Sequence, residues 1–213
     1  MSESRPLSLL QDVAAYYSSR LAEHGQTPQG VDWNGEDGQV LRFEQLTKIL
    51  PLSGGYSLND VGCGYGALID FLKVRYPHFD YAGNDVSVEM VTAAMERYRG
   101  ETNVQFHHNS TPATLSDYGI ASGIFNVRSG REDDEWLEYI HTTLDMLHAT
   151  SRRGFSFNCL TSYSDPERMR PDRLYYADPC ALFDRCKRLY SRQVALLHDY
   201  GLYEFTILVR KDA

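Results

Sequence analysis

No apolar run in this sequence approaches the roughly 20 residues that a bilayer span needs. Its first residues, Met-Ser-Glu-Ser-Arg-Pro, lack the apolar core of a signal peptide. Basic charge is also short: 21 Lys and Arg face 29 Asp and Glu, a formal net charge of −8. That balance argues against a nucleic-acid-binding surface, which needs clustered cations to displace counterions from phosphates. The densest basic stretch, Arg168 to Arg173, is broken by Met169, Pro171 and Asp172. It reads as a solvated loop, or as a place to hold an anionic substrate. Cysteine is sparse, at 63, 159, 180 and 186, with no C-x-x-C pair. Reduced thiols in a cytoplasmic protein are therefore expected. No Gly-Lys-Ser/Thr occurs, so a Walker A phosphate loop is excluded. No internal repeat or low-complexity segment is present. The histidines offer no metal site: His141 and His148 stand seven apart on a helix, and His107 and His108 point to opposite sides of a strand.

What remains is 213 residues with 42% hydrophobic content, enough for one globular unit with its own core. Ser57 to Val61 reads as a short buried strand, and Gly62, Gly64 and Gly66 follow as G-x-G-x-G. Ala67 to Val74 is then a helix, with Leu68, Phe71 and Leu72 on one face. Glycines at a strand-to-helix turn admit positive φ and let a ligand approach bare backbone. The helix behind them offers unpaired N–H groups and a positive dipole end. Tyr81 to Asp85 is a second strand ending in an acid, near the roughly 20-residue distance at which dinucleotide folds place a ribose-binding carboxylate. The dehydrogenase pattern G-x-G-x-x-G is not met, because position 67 is Ala.

In this order the motifs resemble those of the class I S-adenosylmethionine (AdoMet)-dependent methyltransferases. Asp60-Val-Gly-Cys-Gly-Tyr-Gly66 is similar to their motif I, and Gly83-Asn-Asp-Val-Ser87 to their acidic ribose-binding motif. The resemblance spans about residue 36 to the C-terminus. It implies an α/β, Rossmann-like seven-stranded sheet with an antiparallel last strand and N-terminal cap helices. Residues 1–50 would form the cap and 51–213 the AdoMet-binding domain. It implies an AdoMet-dependent transferase whose cofactor contacts fall on Asp60, Gly62, Cys63, Gly64, Gly66, Asp85 and Val86. Cys63 itself reads as a small packing residue, not a nucleophile. Asn109 and Ser110 stand where many members carry an acid for the adenine amine.

The rest of the chain fits that frame. Residues 8–23 and 36–50 read as helices, joined by a Gly/Pro/Asn-rich loop that contains Trp33. Tyr17, Trp33 and Arg42, and less so Tyr16, are candidates for the cover of the site, against the plain reading of core aromatics and an ion-paired arginine. Ser87 is an expected N-cap for a helix to Tyr98, and Asn103 to His107 the third strand. Tyr118 to Val127 reads as the fourth strand, whose end should face the sulfonium. Phe125 could place an aromatic face there. Phe125-Asn126-Val-Arg128 does not match the Asn/Asp-Pro-Pro-Tyr/Phe motif of amino-directed nucleic-acid methyltransferases. A helix over 133–151, a fifth strand over 155–160, a helix to about Arg192 and a final hairpin complete the pattern.

The long polar loop 162–178 follows a central strand end, where open α/β sheets bind ligands. Its Tyr163, Tyr175 and Tyr176 are candidates. Tyr175, Tyr176 and Asn126 are the expected catalytic residues, with the loop and the segment around Tyr17 and Trp33 forming a lid. The expected reaction is methyl transfer to a small molecule, with an oxygen or carboxylate acceptor favoured because no base is evident at the fourth-strand end. The alternatives are an AdoMet-consuming cyclase or lyase that forms azetidine-2-carboxylate and methylthioadenosine, and a non-catalytic AdoMet-binding module. The sequence sets no oligomeric state.

Overall fold

The computed structural model describes residues 4–33, 35–76 and 78–211, with side chains from Ser8 onward. The first helix, α1 (Ser4–His24), precedes a single 3-10 turn (Pro28–Val31) and α2 (Glu36–Leu46). Five parallel strands and one antiparallel pair follow: β1 (Tyr56–Val61), β2 (Phe79–Asp85), β3 (Val104–His108), β4 (Ser116–Ala121), β5 (Ser151–Leu160), β6 (Gln193–Leu197) and β7 (Glu204–Arg210). They form one sheet in the order β3-β2-β1-β4-β5-β7-β6, in which only β7 runs antiparallel to its neighbours. The order reverses between β1 and β4, which is the switch point where such sheets bind ligands.

Helices cover both faces. On one, α2, α3 (Ala67–Arg75) and α4 (Val88–Arg97) bury Leu46, Leu72 and Ala94 against Leu58, Tyr81 and Ile120. On the other, α5 (Asp133–Thr150) and α6 (Pro179–Leu189) bury Trp136, Leu144 and Cys186 against Val61, Phe155 and Ile207, joined by Leu9 of α1. The strand alternation dictates this division, since β-strand side chains at i and i+2 share a face. Local signals set the helix starts. Ser87 Oγ accepts the Met90 N–H at 3.1 Å, and Asp178 accepts from Cys180 and Ala181 ahead of Pro179.

Two connections matter for the site. Between β3 and β4 no helix forms; the seven residues 109–115 run over the sheet instead, tied by Asn59 Nδ2 to the Thr114 carbonyl at 2.8 Å. The fourth strand also ends at Ala121 instead of continuing to Val127. Gly123, at φ 76°, turns the chain out of the sheet, and Phe125 and Asn126 lie beyond that turn.

Candidate functional site

The glycine turn after β1 hangs from the neighbouring strand. The N–H groups of Gly62 and Cys63 both donate to the Asn84 carbonyl, at 2.8 and 3.2 Å. Gly62, Gly64 and Gly66 take φ values of 73°, 55° and 85°, which a side chain rarely tolerates. Space forbids a side chain as well: a Cβ on Gly62 would stand 2.1 Å from Ile124 Cγ2, and one on Gly66 2.7 Å from the Tyr98 ring.

Asp85 completes the turn. One carboxylate oxygen accepts the Gly64 N–H and the other the Ser87 N–H, each at 2.8 Å. Burial pushes its pKa up, while these backbone N–H groups hold it down. Below it, Asp60 is 2% exposed; its Oδ2 accepts the Tyr81 hydroxyl at 2.6 Å and its Oδ1 has no partner. Burial pushes the Asp60 carboxyl up to about 7, with the Tyr81 hydrogen bond opposing. The side-chain oxygens of Asn84 and Ser122 are likewise buried and unpaired. Burial also pushes the Cys63 thiol well up, which makes it a packing group.

These residues line a cavity of about 720 Å³ at the switch point. Val86, Asn109 and Ser110 bound it at the ends of β2 and β3, and Ser122 to Ile124 after β4. The cover comes from Leu9, Leu10, Val13 and Tyr17 of α1, from Val31 and Trp33, and from the face of α5 that carries Glu135, Tyr139 and Thr143. Burial raises the pKa of the Tyr17 and Tyr139 hydroxyls, so both stay neutral. Arg131 also lines the cavity, and it is engaged by Asp12 and by Glu135 at 3.0 Å. The cover is pinned at Asp32, which sits in the left-handed region at φ 62°. Asp32 accepts the Tyr16 hydroxyl at 2.8 Å and pairs with Arg20 at 3.3 Å and Arg173 at 3.2 Å.

Of the residues singled out in the sequence, Tyr17, Trp33, Asp60, Gly62, Cys63, Gly64, Asp85, Val86, Asn109 and Ser110 line this cavity. Gly66 lies under the rings of Tyr98 and Phe106 as the residue before α3. Five others are placed elsewhere. Phe125 is fully buried against Tyr139 and Phe157, and its carbonyl takes the Trp136 indole N–H at 2.8 Å; because β4 stops early, it is a core residue and no wall of the cleft. Asn126 ties that turn to β5 by accepting the Leu160 N–H at 3.1 Å. Arg42 grips Glu204 and reaches the cleft only through Trp33. Tyr175 packs half-buried on the α5–α6 core, and the Tyr176 hydroxyl accepts the Arg170 N–H at 2.9 Å. The loop 162–178 is folded down by bridges from Thr161 to Ala177 and from Val127 to Leu174. It meets the cover through Arg173, not through its tyrosines.

The sequence reading overlooked Asp32, Tyr139, Asn84 and Glu204. Glu204 alone carried a signal, as an acid opening an otherwise apolar strand. Tyr139 reads as one more position on an amphipathic helix.

The residues present fit a nucleoside-bearing ligand with an amino-acid arm. The turn offers bare backbone, Asp85 can accept hydroxyls, and unpaired buried oxygens on Asp60, Asn84 and Ser122 call for donors. Among the described residues no group of three His, Cys, Asp or Glu comes together for a metal, and no helix is long and apolar enough to cross a membrane.

Residues 59–149 match a family model described as a methyltransferase domain. A protein of Mycobacterium tuberculosis (strain ATCC 25618 / H37Rv) that carries the name "Putative methyltransferase Rv1506c" is 62% identical over 164 residues, covering 77% of this chain and 98% of its own length. A trans-aconitate 2-methyltransferase of Rhodopseudomonas palustris (strain BisB18) is 29% identical over 103 residues, covering 44% of this chain and 40% of its own. Among solved structures, the N-methyltransferase NodS from Bradyrhizobium japonicum WM9, in complex with S-adenosyl-L-homocysteine, superposes with a TM-score of 0.65 at 15% identity, over 94% of this chain and 98% of NodS. A DhpI complex with S-adenosylhomocysteine gives 0.62 at 18% identity, over 95% and 96%. A chain so similar to nearly the whole of a methyltransferase, folded on this seven-stranded sheet with the glycine turn and acid in place, belongs to the class I S-adenosylmethionine-dependent methyltransferases, enzymes that take their methyl group from S-adenosylmethionine.

Proposed function

We propose that this enzyme methylates an oxygen of a small molecule, a carboxylate above all. The observation that carries the small-molecule reading is the cover: α1, Trp33 and α5 stand over the cavity at the switch point and narrow it to a cleft suited to a metabolite. In this reading Asp85 takes the ribose hydroxyls, Asn109 and Ser110 the adenine edge, and Asp60 with the bare backbone of the glycine turn the amino-acid arm. Bound S-adenosylmethionine supplies an already electrophilic methyl group. The protein's share is to align the acceptor, exclude water and stabilise its charge.

The acceptor argument rests on what the cavity wall can do to a proton. Tyr17 and Tyr139 are held neutral, so they can donate hydrogen bonds but cannot act as bases. Asp60 lies beneath the glycine turn, bound to Tyr81, and, Asp85 apart, the other acids on the lining, Glu132, Asp134, Glu135 and Glu138, stand on α5 and at its start, with Glu135 paired to Arg131. An acceptor that is already anionic needs no base, and Arg131 can shift from Asp12 and Glu135 toward it. The partial likeness to a trans-aconitate methyltransferase supports the same class. Tyr175 and Tyr176 stand off the cavity, and nothing in the site favours the cyclase alternative.

Incubation with S-adenosylmethionine and a panel of carboxylic acids, phenols and amines, read by mass spectrometry, tests the proposal. Expected are adenosylhomocysteine and a methyl ester, with Arg131→Gln raising KM for the acid more than it lowers kcat. Methylthioadenosine formed without any acceptor, or a product methylated on nitrogen only, overturns it.

A further inference from the structure

A buried polar chain runs from the start of β7, beside the carboxyl end of β5, to the cleft and ends on Trp33. Glu204, at the start of β7, is 2% exposed. Its carboxylate takes three donors. Arg42 of α2 binds it side-on, with Nε to Oε2 at 2.8 Å and Nη2 to Oε1 at 2.6 Å. Asn158 of β5, fully buried, donates Nδ2 to Oε2 at 2.7 Å. The other end of the Asn158 carboxamide accepts the N–H of Gly123, in the turn after β4, at 2.8 Å. The Arg42 guanidinium lies 3.9 Å from the centre of the Trp33 ring. The same ring packs on Gly123 by its edge: a Cβ there would stand 2.3 Å from Trp33 Cζ2 and 2.5 Å from Cη2. Gly123 and Trp33 line the cavity; Glu204, Asn158 and Arg42 do not.

One carboxylate thus ties together both groups that bear on the indole. Through Asn158 it fixes the β4 turn at the edge of the ring, and through Arg42 it fixes the cation over the ring. A buried carboxylate is costly unless it is paired, and a hydrophobic residue at 204 would suit the apolar strand better. A fork-shaped Arg–carboxylate pair gives a fixed angle that Lys cannot. The Arg–indole contact gains strength when desolvated.

We propose that Glu204 is a positioning residue for the cofactor site: it acts through Arg42 and Asn158 to set Trp33 as a fixed wall, so that the cover closes on the nucleoside ligand with the indole already in place. The consequence for binding rests on the methyltransferase reading; the clamping of Trp33 does not.

The test uses the full chain and adenosylhomocysteine as probe. The protein has two tryptophans, and Trp136 is fully buried, so acrylamide quenching of tryptophan emission reports Trp33. Glu204→Gln should raise ligand-free quenching while circular dichroism stays native, and should weaken adenosylhomocysteine binding about tenfold by calorimetry. Arg42→Lys, which keeps the charge and loses the fork, should do the same in smaller measure. In a Trp33→Leu background, Glu204→Gln should cost no further affinity, because the two act in series. Unchanged quenching in both variants overturns the clamp. So does an equal loss of affinity with and without Trp33, which would make Glu204 a stabiliser of the fold only. If the wild type itself fails to bind the probe, the cofactor reading falls, and quenching still decides the clamp.

Discussion

Asp60 shows how much one buried carboxylate can reveal. Its folded-state pKa of about 7 lies above the ordinary carboxylate value, so the folded protein holds this proton more tightly than the unfolded chain. The stability linked to that proton is complete at low pH and is lost as pH rises toward 7. Asp60→Asn keeps an acceptor for the Tyr81 hydroxyl and removes the titration. The melting temperature of the Asn variant relative to wild type should therefore be higher at pH 8 than at pH 4.5. The gain should correspond to about 1–4 kcal/mol, at 1.36 kcal/mol for each pH unit of displacement. A constant difference across that range would show that Asp60 is ionised throughout. At this scale the sequence was partly legible. Asp60 and Asp85 stood out because an acid at a strand end beside glycines has little other use. Tyr81 and Asn84 did not, because nothing local tells whether a strand residue looks at a helix or at a cavity.

Among elements, the turn from β1 into α3 is the most constrained. Gly62→Ala brings Cβ to 2.1 Å from Ile124 Cγ2 on a backbone at φ 73°. Left-handed strain costs roughly 1–2 kcal/mol, and the contact adds to it. Ile124 follows the β4 turn, so the clash is passed to the cavity floor. Urea unfolding should show a loss of at least about 2 kcal/mol, with adenosylhomocysteine binding lost beyond what that loss explains. A variant with native affinity would mean that the turn can flatten without touching the ligand.

The strand–glycine–helix–strand order was legible here because strand burial, positive-φ glycine and helix capping each leave their own local mark. The end of β4 was not. Ile-Phe-Asn-Val continues the apolar strand pattern, and only the tertiary turn at Gly123 diverts it, where the Gly123 N–H leaves the sheet for Asn158. Phe125 and Asn126 were consequently assigned to the cleft when they hold the wall behind it. The loop 162–178 misled in a similar way. Its length and tyrosines suit a lid, but two bridges fold it back toward the ends of the strands, and its ion pair with the cover comes from Arg173, to Asp32.

At the scale of the whole molecule, the sheet order places a crevice between β1 and β4; α1 and Trp33 stand over it, while α2 packs on the sheet. The missing helix between β3 and β4 leaves the crevice roofed by α1, Trp33 and α5 instead. That arrangement was invisible in the sequence, because an amphipathic helix announces that it packs and not what it packs on. The acidic net charge suits a cationic cofactor better than a polyanionic substrate.

The central claim is that this crevice binds S-adenosylmethionine through Asp85 and the glycine turn. Calorimetric titration of adenosylhomocysteine into wild type and Asp85→Asn tests it most directly. The Asn variant is preferred to Ala, because its carboxamide oxygen still accepts one of the Gly64 and Ser87 N–H groups, where Ala would strand both. One site in the micromolar range is expected, about −8 kcal/mol at 1 μM, weakened about tenfold or more in the variant. Absence of binding to the wild type, or equal affinity in the two proteins, would contradict it.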